Sequence, residues 1–215
     1  YSNYLLITTT LKEVLGQFSS NITASFGNII ACGEKDNLFN AFKKSMFVAF
    51  VFSNFAAVSL FCLFNPFISI WMGAKLGEES LLSMPVVGII SFNFYIVVLS
   101  EPLGSLRASA GLFRPDRYLH LVLAALNLVI SICFVKIKFI GLFGVFLGTL
   151  ICLFIKEMTV LPRIVCHQLL NISTWQYLKR LYLYILITVV NSAVTYGVCS
   201  LVSFENAILT LVVKA

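Results

Sequence analysis

Polar and ionisable side chains are scarce in this sequence, so their positions carry most of its chemical information. Near the start, Glu13, Gln17, Ser20, Asn21 and Asn28 are spaced so that a helix places all five within an arc of about 100°. Lys12 lies about 100° from Glu13, at the edge of that arc, where it can pair with the carboxylate or reach outward. Such a stripe suits a water-lined path through a bundle; a lone amide would more simply glue two helices together. Further along, Asn93 and Tyr95 sit amid apolar residues, and Glu101 precedes Pro102 with Arg107 six residues on, placed to pair across a turn. Arg114, Asp116 and Arg117 crowd into "GLFRPDRY", directly before a long apolar run. The first group reads as a set of path or substrate contacts. Glu101, Arg107, Arg114, Asp116 and Arg117 read as gate or topology determinants at one membrane face.

The elements that must position these groups are long and apolar. The chain has 215 residues, 60% hydrophobic and 11% charged, against roughly a quarter charged in soluble domains. Continuous apolar runs near the roughly 20 residues needed to cross a hydrocarbon core predict an all-α, polytopic membrane protein. A barrel would require alternation instead. Six spans are predicted over residues 4–31, 43–71, 82–101, 118–137, 139–161 and 180–203, with a seventh cut off after its start near Ala207. Pro66 in "FNPFISIWMG" predicts a kink or break near Asn65, and Trp71 fits an interfacial position. Gly144 and Gly148, four apart, predict close packing within a tight hairpin of the fourth and fifth spans. Residues 162–179 show helical apolar spacing between basic ends, which predicts an amphipathic connector lying at the membrane surface.

The net charge of +6 is explained by orientation. The first, third and fifth connections carry ten basic residues: Lys35, Lys43, Lys44, Arg107, Arg114, Arg117, Lys156, Arg163, Lys179 and Arg180. The second and fourth carry only Lys75, Lys136 and Lys138. Retention of Lys and Arg on the cytoplasmic side predicts that the odd connections are cytoplasmic in a cell-membrane protein. The six cysteines are scattered singly without CxxC spacing, and the two histidines have no ligand neighbours, so neither a metal nor another cofactor is expected. No enzyme motif (GxSxG, HExxH or a P-loop) is present, and the reading is non-enzymatic.

Five short segments, in order, resemble the polysaccharide-transporter branch of the multidrug/oligosaccharidyl-lipid/polysaccharide exporter superfamily. They are "ASFGNIIACGEKD" (Ala24 to Asp36), "NPFISIWMG", "NFYI" (Asn93 to Ile96), "RASAGLFRPDRY" (Arg107 to Tyr118) and "ALNLVISI" with "IGLFGVFLGTLI". The resemblance implies a two-lobe exporter of about 14 helices. Residues 1–161 would then belong to the second lobe and residues 180–215 to the extra C-terminal helices, so that the chain is the C-terminal half of a longer protein. It further implies a flippase that moves lipid-linked oligosaccharide repeat units, of undecaprenyl-diphosphate type, by alternating access for capsule, O-antigen or exopolysaccharide synthesis. Its partners would be that lipid-linked substrate, membrane lipids and glycan-assembly proteins, with no nucleic acid. A cation-coupled multidrug exporter of the same superfamily is the alternative. A membrane polymerase or ligase of envelope polymer synthesis is a third reading, and no motif here resembles one.

Overall fold

The computed structural model describes residues 2–33, 35–76, 81–114, 117–136 and 141–201. All regular structure in these residues is helical, because apolar runs in a lipid-like environment must satisfy every backbone group within the segment. Helices α1 (Ser2–Ala31), α2 (Lys35–Leu76), α3 (Met84–Ser109) and α4 (Leu119–Lys136) come first. Then α5 (Gly141–Phe154) runs through a π-helical turn (Ile155–Val160), the short α6 (Leu161–Val165) and a second π-turn (Cys166–Leu170), before α7 (Thr174–Leu201).

Local chemistry sets the ends. Gly33 and Gly111 hold positive φ (75° and 67°), the left-handed conformation that closes a helix at no steric cost to glycine. At Gly111 the closure is a Schellman pair, with Leu112 N–H donating to the Arg107 carbonyl and Gly111 N–H to that of Ala108, both at 3.1 Å. Asn171 takes the same role at φ 51°, and Ile172 N–H reaches the Cys166 carbonyl at 3.2 Å, one residue wider because the preceding turn is π. Ser83, extended at ψ 146° and followed by Pro85, opens α3, and the Ser173 hydroxyl accepts from Trp175 N–H at the start of α7.

Helix α3 is the hub and packs against α1, α2, α5 and α6; α4 lies outside on α5, and α7 outside on α2 and α6. Accordingly Val87, Tyr95, Ile96, Leu99, Leu103 and Leu106 of α3 are wholly buried, whereas α4 buries only Leu123. Apolar side chains such as Phe55, Leu121, Val122, Leu128 and Leu186 project outward at 59–73% exposure. Contiguous surface of that kind is incompatible with water and natural in lipid. Five helical segments (37–71, 84–109, 119–136, 143–170 and 174–199) are long and apolar enough to cross a membrane. Helix α1 is long enough at 30 residues, but its polar stripe keeps it out of that set.

The sequence expectation is sharpened in four places. Helix α3 continues through Pro102 to Ser109, so Glu101 and Arg107 stand on one helix about 120° apart rather than facing each other across a turn. Helix α2 also continues through Pro66, with no break at Asn65. Residues 161–170 extend α5 through its two π-turns, burying Leu161, Pro162, Val165, Cys166 and Leu170, instead of forming the first half of a separate surface connector. The fourth refinement is in the α4–α5 pair, where a Cβ on Gly148 would lie 2.9 Å from Ser131 Oγ and 3.1 Å from Asn127 Oδ1. The close approach expected of Gly148 is therefore real, and its specific partners are polar groups of α4. The seventh span expected from Ala207, together with Pro115, Asp116 and Lys138, falls outside the described residues.

Candidate functional site

The polar stripe of α1 lies on the face turned away from the bundle. Tyr4, Thr8 and Phe26 are the buried residues of this helix, whereas Lys12, Glu13, Gln17, Ser20, Asn21 and Asn28 are all exposed. From Glu13 to Asn28 the stripe runs about 22 Å at 1.5 Å per residue. On that surface Ser20 Oγ returns to the Gln17 carbonyl at 2.8 Å. The opposite face is tied down at one end by a three-helix-segment clamp. Tyr4 Oη donates to Asn65 Oδ1 at 2.6 Å and accepts from Leu82 N–H at 3.1 Å, while Asn65 Nδ2 donates to the Leu82 carbonyl at 3.0 Å. The "NPF" asparagine is thus a packing element that orients α1.

The structure divides the predicted path residues. Tyr95 is fully buried in the α3 core, stacked on Phe92 with centroids 6.0 Å apart, and faces the Thr188 hydroxyl of α7. Asn93 donates from Nδ2 to the Phe146 carbonyl of α5 at 3.4 Å, a helix-to-helix bond. Neither joins the exposed surface of α1. Lys12 is exposed on α1 and feels the charge of Glu101 on α3 at longer range, without an ion pair among the described residues. Glu101 is half-buried and lines a crevice between α1, α2 and α3. Arg107 lays its guanidinium over the Phe113 ring at 5.4 Å from the centroid, and Arg117 covers the neighbouring Tyr118 at 4.6 Å. Arg114 is exposed, as a topology determinant requires.

Sequence reasoning passes over the most deeply buried charge. Glu157, 5% exposed, sits in the first π-turn, its Oε1 3.0 Å from Lys156 Nζ. Its Oε2 is buried without a hydrogen-bond partner, and so is the Tyr177 hydroxyl of α7. The Ser100 hydroxyl of α3 approaches the carboxylate while donating to the Ile96 carbonyl at 2.8 Å, and Glu101 acts on Glu157 electrostatically. Lys156 and Glu157 thus form an ion pair at the end of the span, with Glu101 near enough to act on the buried carboxylate. A π-turn widens the helix by one residue and commonly marks a functional interruption. Here it turns a carboxylate inward from the end of a span. The available signal was a Lys-Glu pair interrupting an apolar run that resumes at once with "MTVLP". Among the described residues no three His, Cys, Asp or Glu side chains are grouped to hold a metal ion.

These features define a class: a multi-pass helical membrane protein with a buried, ion-paired carboxylate and one polar-faced helix. No family model, curated protein or solved structure matches the chain.

Proposed function

We propose that the chain is the second-lobe half of an exporter in the polysaccharide-transporter branch, a flippase for lipid-linked oligosaccharide repeat units. The observation that carries this reading is the polar face of α1. Its stripe is presented outward along about four turns while the rest of the helix is packed on α2 and α3. A carboxylate, an amine and several amides facing hydrocarbon would be costly, so the stripe calls for a water-filled cavity shared with a second lobe. The ordered motif series supplies the family, and an amide- and hydroxyl-rich wall suits a sugar-diphosphate head. Odd connections on the cytoplasmic side of the cell membrane give the direction of transport. The buried Glu157 carboxylate favours a cation-coupled drug exporter of the same superfamily as the second reading.

The test has two arms in the full-length protein. With Lys12→Ala or Glu13→Ala, surface polysaccharide is expected to fall at least several-fold at unchanged protein level. Single cysteines at Gln17, Asn21 and Asn28, in a background lacking the native thiols, should react with a water-soluble maleimide at least tenfold faster than one at buried Phe26. Normal export by both alanine variants, together with a stripe closed to the reagent, refutes the reading. Dye efflux without glycan dependence selects the drug exporter.

A further inference from the structure

A cleft of about 250 Å³ opens between the N-terminal parts of α2 and α7, away from the α1 stripe. That volume equals roughly eight water molecules at about 30 Å³ each, the size of a small headgroup. Phe39, Phe42 and Tyr177 form its apolar wall, the last two with ring centroids 6.2 Å apart. Lys43, Gln176 and Arg180 supply its polar groups, so that two cations and an amide donor converge from two helices. Lys43 is held over the Phe39 ring, 5.5 Å from its centroid. None of the lining residues is acidic, and among the described residues no carboxylate pairs with Lys43 or Arg180. Two cations converging on one small cleft with no acidic lining residue give it the electrostatic character of an anion site.

The flanking surface identifies which anion. Phe47 lies one turn beyond Lys43 on the same face of α2, and Leu183 one turn beyond Arg180 on α7. They are 56% and 53% exposed, so apolar surface leads directly out of the cleft along both helices. Helix α2 is about 63 Å long for its 42 residues, twice the hydrocarbon thickness, so its ends must extend past the hydrocarbon into the headgroup layer or beyond. Exposed Trp175, with Lys179 5.7 Å from its ring centroid, places an interfacial aromatic at the corresponding end of α7. A free phosphate would use the cations and leave this apolar track unused. An anionic glycerophospholipid uses both.

We infer that the α2–α7 cleft is a binding site for the phosphate headgroup of an anionic glycerophospholipid, held by Lys43 and Arg180 with its acyl chains along Phe47 and Leu183. Basic pockets between membrane helices take lipid headgroups in this manner, each cation adding about a fivefold gain. The test uses the full chain in neutral detergent and reads retention of phosphatidylglycerol against phosphatidylcholine by native mass spectrometry. Wild type should retain phosphatidylglycerol at least tenfold better. Lys43→Ala with Arg180→Ala should lower that retention on the order of 30-fold, and Lys43→Arg with Arg180→Lys should preserve most of it. Lys44→Ala with Lys179→Ala removes the same charge from the same helix ends without touching the cleft lining, and should leave retention within twofold. Equal losses in the two alanine pairs would reveal diffuse surface attraction and overturn the site, as would equal retention of the two lipids. Displacement of the lipid by millimolar inorganic phosphate would overturn the lipid assignment in favour of a free anion.

Discussion

Gly148→Ala tests the α4–α5 hairpin at its closest approach. A Cβ at this position would stand 2.9 Å from Ser131 Oγ, 3.1 Å from Asn127 Oδ1 and 3.3 Å from Ile130 Cγ2. The first distance is shorter than carbon–oxygen contact allows, so the Ser131 hydroxyl must rotate away or the helices must separate. Overpacking of this kind costs about 1–3 kcal/mol, against about 1 kcal/mol gained from the helix preference of alanine over glycine. The net expectation is a loss of up to about 2 kcal/mol at the hairpin. Cys152 reports on it directly: it is buried, and its thiol lies 3.6 Å from the Leu123 carbonyl across the same interface. In a protein retaining only that cysteine, Gly148→Ala should raise the labelling rate by up to about 30-fold, since 1.4 kcal/mol is a factor of ten. Ser131→Ala removes the nearest atom. The double variant should recover most of the protection while keeping the alanine helix gain. A double variant no better protected than the single would refute the geometry of this interface.

Two further outcomes follow from buried polar groups. Lys156→Ala leaves the Glu157 carboxylate buried without its counter-charge and should cost about 3–5 kcal/mol in unfolding stability. Glu157→Gln keeps the shape and frees a partly exposed lysine, so it should cost less; the reverse order in chemical unfolding would show that Glu157 is not held as a buried charge. Tyr4→Phe deletes both the bond to Asn65 and the acceptor for Leu82 N–H, for a loss of about 1–3 kcal/mol. Adding Asn65→Leu should cost less than the sum of the two single changes, because both act on one network, whereas additive losses would show that no such clamp operates.

The one-dimensional pattern determined the class of this protein. Continuous apolar runs leave the backbone no stable arrangement except helices, so α1 to α5 and α7 were each legible as elements. The 100° polar arc of α1 was legible because helix geometry alone places Glu13, Gln17, Ser20, Asn21 and Asn28 together. Gly148 was visible as a small residue at close-packing spacing, though not the identity of Asn127 and Ser131 across from it. Three-dimensional contacts decided the rest. That Lys12 feels the charge of Glu101 depends on how α1 lies against α3. The inward turn of Glu157 depends on a π-helical register that shifts side-chain direction by one residue, which no periodicity count anticipates. Tyr95 and Asn93 look like path residues along the chain. Tyr95 is buried and Asn93 is bonded to α5 because α3 is wrapped by four neighbouring helices. Local sequence sets which face of a helix is polar, and only the packing of its neighbours sets whether that face meets protein, lipid or water.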